Sequence, residues 1–335
     1  MTLTKAGLPW VAALSFLASG KILFATPESL SNRPELEFAE SFFGEREFEL
    51  SGIASWRQSF LIISDNNTDT NISEIRLHRG RFLIETRFDL TKLDGFAKFK
   101  EEALAKAKLL GHDRWLDLEA IAVCGDRIYL ANERIRQIVL IDKGSIKGLE
   151  IDFSSVPQVM LGDANAGFEG LAVDCAGDQM WIAKERDPRG IVPVDLKTMK
   201  VAGFFEIPAS DRGGQRVLEW RNGNGVVEIG ADIGDLQFVD GYLYALERNH
   251  YEVARLDAKT LKVLDRVSFF KSTYEIYDTG EPFGLAEALL VEPEAIWIGM
   301  DNNGMPLGTR AVAQFRVSGP MPGLFKFKRP TSPKF

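Results

Sequence analysis

One phrase recurs five times in this chain, and the recurrence constrains the fold more than any composition figure does. It reads LSGIASWRQSFLIISDN from Leu50, DLEAIAVCGDRIYLANER from Asp117 and GFEGLAVDCAGDQMWIAKER from Gly167. It returns as IGDLQFVDGYLYALER from Ile233 and LAEALLVEPEAIWIGMDN from Leu285. Each copy is an apolar strand, a short turn and a second apolar strand, which is the pattern of a β-hairpin. The residues heading the first strand are Ser51, Glu119, Glu169, Asp235 and Glu287, spaced 50 to 68 residues apart. That period is long for a solenoid and suits the blades of a β-propeller. The expected fold is therefore all-β: a propeller of five four-stranded blades, with room for a degenerate sixth in 208–230 or 264–282.

The strands of a hairpin run antiparallel, so the start of the first and the end of the second share one edge of the sheet. The second strands close on Asp65, Glu133, Glu185, Glu247 and Asp301. These five and the four heading acids should face one mouth of the central channel, with Ser51 breaking the inner set. Crowded carboxylates repel, so their pKa values rise or a cation sits among them. An oxygen-only donor set suits a hard ion, Ca²⁺ before Mg²⁺ or Mn²⁺. Glu119, Glu169, Asp235 and Glu287 are the expected ligands, and the closing acids would position water. Arg134, Arg186 and Arg248 follow three of the closing acids. They either ring the mouth and hold phosphate oxygens, or pair with acids between blades.

His78, His112 and His250 are the only histidines and none holds a repeat position. A Gly-x-Ser-x-Gly elbow is lacking, so nucleophilic serine chemistry has no support. The net charge of −8, without a basic run, excludes nucleic acid as the expected partner. A small-molecule substrate and a monomer are expected instead.

Residues 1–25 read as a secretory signal, with Lys5 ahead of an apolar run over Leu8–Ala18 and small residues at Ala18–Gly20. No later stretch is apolar enough to span a membrane, so a secreted or periplasmic protein is expected. The propeller would occupy 26–319, with inserts near 91–116 and 208–230, and a loose tail would follow over 320–335. Phe96–Leu110 has the composition and spacing of a helix stopped by Gly111. An N-terminal strand within Glu35–Phe48 should complete the last blade beside Ala311–Val317. Cys124 and Cys175 hold near-equivalent places in adjacent copies, as a disulfide or as two buried thiols.

The phrases LSGIA…SDN, DLEAIAV…ANER, GFEGLAV…AKER and AEALL…WIGMDNNG resemble the esterase-like phytase domain. The middle phrases are also similar to the bacterial propellers called SdiA-regulated. The resemblance spans about Glu47 to Val317. It implies a secreted β-propeller with calcium-dependent phosphoesterase activity. Ala120 and Ala288 replace the glycine that follows the acid, and Leu236 follows Asp235, which leaves the fold implied and the activity open. The competing expectations are a non-enzymatic binding propeller with a structural Ca²⁺ and a lactonase-type hydrolase. If the chain is exported, mass spectrometry of the protein from its native host should find the mature N-terminus between Lys21 and Thr26. Intact Met1 would overturn that expectation.

Overall fold

Three hairpin turns, Arg79–Gly80, Lys143–Gly144 and Asp240–Gly241, hold both central residues at positive φ. That conformation matches the right-handed twist of the strands it joins. Strand-forming runs of Ile, Val, Leu and aromatic residues lie between such turns. The computed structural model describes residues 34–65, 70–162, 164–209, 216–219, 226–229, 232–277, 286–301, 312–313, 316, 319 and 321–330.

The first strand, β1 (Phe38–Gly44), precedes blade I, which is β2 (Leu50–Trp56), β3 (Ser59–Ser64), β4 (Asn71–His78) and β5 (Arg81–Asp89). Helix α1 (Phe96–Leu110) comes next, as expected, and Gly111 ends it in the left-handed conformation. Blade II is β6 (Leu118–Cys124), β7 (Arg127–Asn132), β8 (Gln137–Asp142) and β9 (Ser145–Gly148). Blade III is β10 (Phe168–Asp174), β11 (Gln179–Lys184) and β12 (Gly190–Asp195), edged by the short β13 (Lys200–Val201) and β14 (Phe205–Glu206). A separate hairpin, β15 (Arg216–Glu219) with β16 (Val226–Ile229), lies in the second insert. Blade IV is β17 (Ile233–Val239), β18 (Tyr242–Glu247), β19 (Glu252–Asp257) and β20 (Val263–Ser268), followed by helix α2 (Phe270–Tyr277). Blade V is β21 (Ala286–Val291), β22 (Ala295–Met300) and β23 (Gly323–Lys328), and β1 is its outer strand.

The inner strands β2, β6, β10, β17 and β21 each touch the next, and β21 returns to β2, so the ring closes with five blades among the described residues. Five buried apolar clusters fill the five interfaces between adjacent blades. The interface between blades I and II also buries the Phe99, Ala103 and Ala107 stripe of α1, residues four apart on one helix face. No helix of the described residues is long and apolar enough to cross a membrane.

Two expectations need correcting. The third strand of blade V is Gly323–Lys328, and β1 pairs with it from Phe38 to Phe43. Residues beyond 320 therefore supply a core strand, with Leu324, Phe325 and Phe327 buried. The run 311–317 lies largely outside the described residues; Val312 and Ala313 within it are helical. A short parallel pairing of β1 with β5, at Phe43–Arg81 and Gly44–Phe82, joins the outer edges of blades V and I.

Cys124 and Cys175 form a disulfide across blades II and III, at the ends of β6 and β10 remote from the acids. Its half-cystines are 51 residues apart, so the bond removes considerable freedom from the unfolded chain. Replacing both by serine should lower the free energy of unfolding by about 2–4 kcal/mol in urea denaturation. Equal stability of the double variant would mean that the bond does not form in solution.

Candidate cation site at the channel mouth

Every inner strand bends at one residue that has no partner on the neighbouring strand. In blades I, II, III and V these bulged residues are Ser51, Glu119, Glu169 and Glu287. A bulge re-aims a side chain and is frequent beside functional sites. In blade IV the bulge falls between Ile233 and Asp235, so Gly234 holds the position. The residues just beyond the paired end of each second strand are Asp65, Glu133, Glu185, Arg248 and Asp301. The register of blade IV thus differs by one residue from that expected of Asp235 and Glu247, and an arginine stands where the other blades place an acid.

Asp235 and Glu247 do other work. One oxygen of the buried Asp235 accepts from its neighbour Leu236 N–H at 2.7 Å and the other from Leu289 N–H at 2.7 Å. It ties β17 to β21. Glu247 is fully buried and accepts from Arg266 Nε at 2.7 Å and Arg189 Nη2 at 2.5 Å. Burial raises its pKa, but the hydrogen bonds and charges of Arg266 and Arg189 prevail and hold its carboxyl below the usual range.

The remaining seven acids converge. One oxygen from each of Glu133, Glu169 and Glu185 lies within 4.8 Å of the other two, and Asp117, Glu119 and Glu133 form a second such trio. Glu133 belongs to both. Arg248 enters this ring from blade IV. Its guanidinium hydrogen-bonds Glu185 of blade III and Glu287 of blade V, and Nη2 stands 3.9 Å from Glu169. Gly234 makes the space: a Cβ there would stand 3.1 Å from Ala286 O and 3.4 Å from Arg248 Cβ. Arg186 is bound to Glu185, to Asp232 and to Asn165 O, and Arg134 to Asp117. All three arginines pair with acids: Arg134 within its own blade, Arg186 within its own and across to Asp232, and Arg248 with both adjoining blades.

Asp117 and Asp232 belong to this network and were not among the expected site residues. Both lie just ahead of a first strand and break the apolar run, which was the available signal. A second omission is the residue before the closing acid in blades II and III. Asn132 donates to Trp115 O at 2.9 Å and accepts from Asp117 N–H at 3.1 Å. The fully buried Lys184 donates from Nζ to Ala166 O at 2.7 Å and to Arg186 O. Each pins the entry of its own blade's inner strand to the exit of the second. Ser51 is buried and offers no charge. His112 lies near the mouth, its pKa lowered by burial and by Arg136 and Arg134.

Burial, followed by the charge of neighbouring acids, pushes Asp65 up to about 8. Burial raises Glu133 to about 7, against the opposing Gly167 N–H bond at 2.9 Å. Glu185 rises to about 8, chiefly through burial, against the opposing charge of Arg248. Glu119, Glu169 and Glu287 are pushed well above the usual range, also mainly by burial. Among the described residues, Glu185 Oε2 and Asp65 Oδ1 are buried without a hydrogen-bond partner. Unpaired buried oxygens are costly, and a hard cation held by Glu133, Glu169 and Glu185 would satisfy that of Glu185. The donors are all oxygen, so the site fits such an ion.

A five-bladed propeller with a buried carboxylate ring at one mouth defines the class of protein. Within that class, the model of the phytase-like family, described as esterase-like activity of phytase, matches residues 48–281, and the chain belongs to that family. It thereby joins the hydrolase-like propellers. Among solved structures, a glutaminyl cyclase from Myxococcus xanthus is 12% identical over 89% of this chain and 100% of its own, with a TM-score of 0.51. A gluconolactonase from Xanthomonas campestris is 9% identical over 84% of this chain and 72% of its own, with a TM-score of 0.41.

The raised pKa values make stability depend on pH. Between the ordinary carboxylate range and pH 8 the folded chain keeps protons that the unfolded chain has released, so stability should fall as pH rises. The metal-free protein should lose about 1 kcal/mol per pH unit for each such proton, read as a falling melting temperature from pH 5 to 8. Added divalent cation should restore stability at pH 8 and have little effect at pH 5. A melting temperature that rises over this window would contradict the protonated ring.

Proposed function

We propose that this chain is an exported, Ca²⁺-dependent hydrolase of small phosphoesters. The observation that carries the reading is the convergence of seven carboxylates, five of them buried, on an axis where, of the three mouth arginines, Arg248 bridges both adjoining blades. Glu119, Glu133, Glu169 and Glu185 would hold the ion, with Asp65, Asp301 and Glu287 beside them. A bound cation supplies charge neutralisation and polarisation of a phosphoryl oxygen. The chain's own residues do the rest. Asp65 and Asp301, which close second strands beside the ion, orient water toward phosphorus. Water oxygen forms the new bond to phosphorus as its proton passes to one of these carboxylates, the ester P–O bond breaks, and the leaving oxygen takes that proton. Arg186 and Arg248, at the same mouth, are the guanidinium groups that would meet phosphoryl oxygens. The Cys124–Cys175 disulfide supports an oxidising compartment.

A second reading has its own observation. All three mouth arginines already bind carboxylates, as in a binding propeller whose cation is structural. One set of measurements separates the two. Calorimetry should show Ca²⁺ binding that Glu169→Gln weakens more than Glu185→Gln does, because Glu185 is held by two arginines and Glu169 only grazes one. Phosphomonoester or diester turnover should vanish with chelator and return with Ca²⁺. Calcium binding without turnover favours the binding propeller, and wild-type affinity in Glu169→Gln removes the cation site itself.

A further inference from the structure

Beside the acidic mouth, between the exit of β11 and the segment after β14, the surface opens into a cleft of about 520 Å³. Arg186 and Asp232 line it and also belong to the carboxylate network, so cleft and mouth share a wall. The remaining wall is mostly apolar: Pro188, Ile207, Pro208 and Ala209. It is built in advance. Arg189 donates from Nε to Ile207 O at 2.9 Å and from Nη2 to Pro208 O at 3.3 Å, and Arg266 donates to Pro208 O at 2.7 Å. Both arginines are fixed in turn by Glu247. This gives Glu247 its part: buried away from the mouth, it anchors the two side chains that hold the cleft wall.

We infer that this cleft receives the leaving group of the substrate, and that the leaving group is an apolar aryl or alkyl moiety carried by a single phosphoryl group. The inference rests on the phosphoester reading above and narrows it. Charge decides against a polyphosphate. Three carboxylates, Asp187, Glu206 and Asp232, line the cleft against two guanidinium groups, Arg186 and Arg189, and Arg189 is held by Glu247. A polyanion would meet more carboxylates than guanidinium groups and would need several cations the wall does not supply. An apolar group instead loses water against Pro188, Ile207 and Ala209, while its one phosphoryl group reaches Arg186 at the rim. A second cleft, of about 490 Å³ and containing Trp181 and Phe238, lies beside the turns Gly177 and Gly241, at the blade ends remote from the acids. It cannot serve the same ester.

The test is calorimetric titration of the full chain in saturating Ca²⁺ with 1-naphthyl phosphate, methyl phosphate and inositol hexakisphosphate, for wild type and Ala209→Trp. Ala209 is exposed, so the larger side chain fills the cleft without entering the core. Its melting temperature and Ca²⁺ affinity, measured alongside, verify the fold. The expected result is that 1-naphthyl phosphate binds more tightly than the other two, and that Ala209→Trp weakens it by about tenfold with Ca²⁺ affinity unchanged. Equal binding of 1-naphthyl phosphate to both proteins would overturn the inference, as would tighter binding of the hexakisphosphate. Ca²⁺ binding with no affinity for any phosphate overturns it too, while leaving the cation site standing. Absence of Ca²⁺ binding defeats the underlying reading instead.

Discussion

Mutual repulsion among acids at the propeller axis is the constraint to which the rest of the mouth responds. Seven carboxylates from four blades cannot all be charged and dry at once. The fold answers partly with protons, seen in the raised pKa values of Asp65, Glu133 and Glu185. It answers partly with Arg248, a buried guanidinium shared by blades III and V. Breaking a buried pair of this kind by removing one partner costs about 3–5 kcal/mol. At the bulge itself Gly234 keeps β17 close to blade V, because a Cβ there would press on Ala286 O.

The ring's geometry depends on features outside it. Bulges set the direction of Glu119, Glu169 and Glu287, and the apolar interfaces between blades fix where the bulges stand. Asn132 and Lys184 clamp strand entry to strand exit directly behind the acids. At the opposite end, the disulfide and the stack of Trp181 on Phe238, with centroids 5.0 Å apart, hold blades II, III and IV together. The mouth can therefore tolerate an electrostatically unfavourable arrangement, since the blades are held by contacts that do not involve it.

Much of this was legible in the sequence. The recurrence of an apolar hairpin pointed to five blades, with a sixth left open, and to the axial mouth and seven of its acids, while helix formers with apolar residues three and four apart pointed to Phe96–Leu110. Blade IV misled for a definite reason. Asp235 and Glu247 match the other copies by residue type, yet the bulge lies at Gly234, and an acid moved by one place along a strand changes face. The shorter spacing between Asp235 and Glu247, against that in the other copies, was the trace of it. Residues 323–328 looked like part of a tail because prolines and lysines surround them. Alternation of Phe325, Lys326, Phe327 and Lys328 was the strand signal there. Pairings of arginine with acid depend on distances between blades, which no local pattern encodes.

The outer strand of blade V comes from the start of the described chain and its inner three from the end. During synthesis β1 emerges first, but its partner β23 appears only after every other blade has been made. Ring closure is consequently the last topological event, and a nascent chain holds an open arc with an unmated edge until then. In that arc the carboxylate trios of blades II and III are already assembled, and closing adds Glu287 and Asp301 together with the ion pair of Glu287 with Arg248. The last acids to arrive therefore bring a partner for Arg248 with them, when nearly all of the apolar surface is already committed.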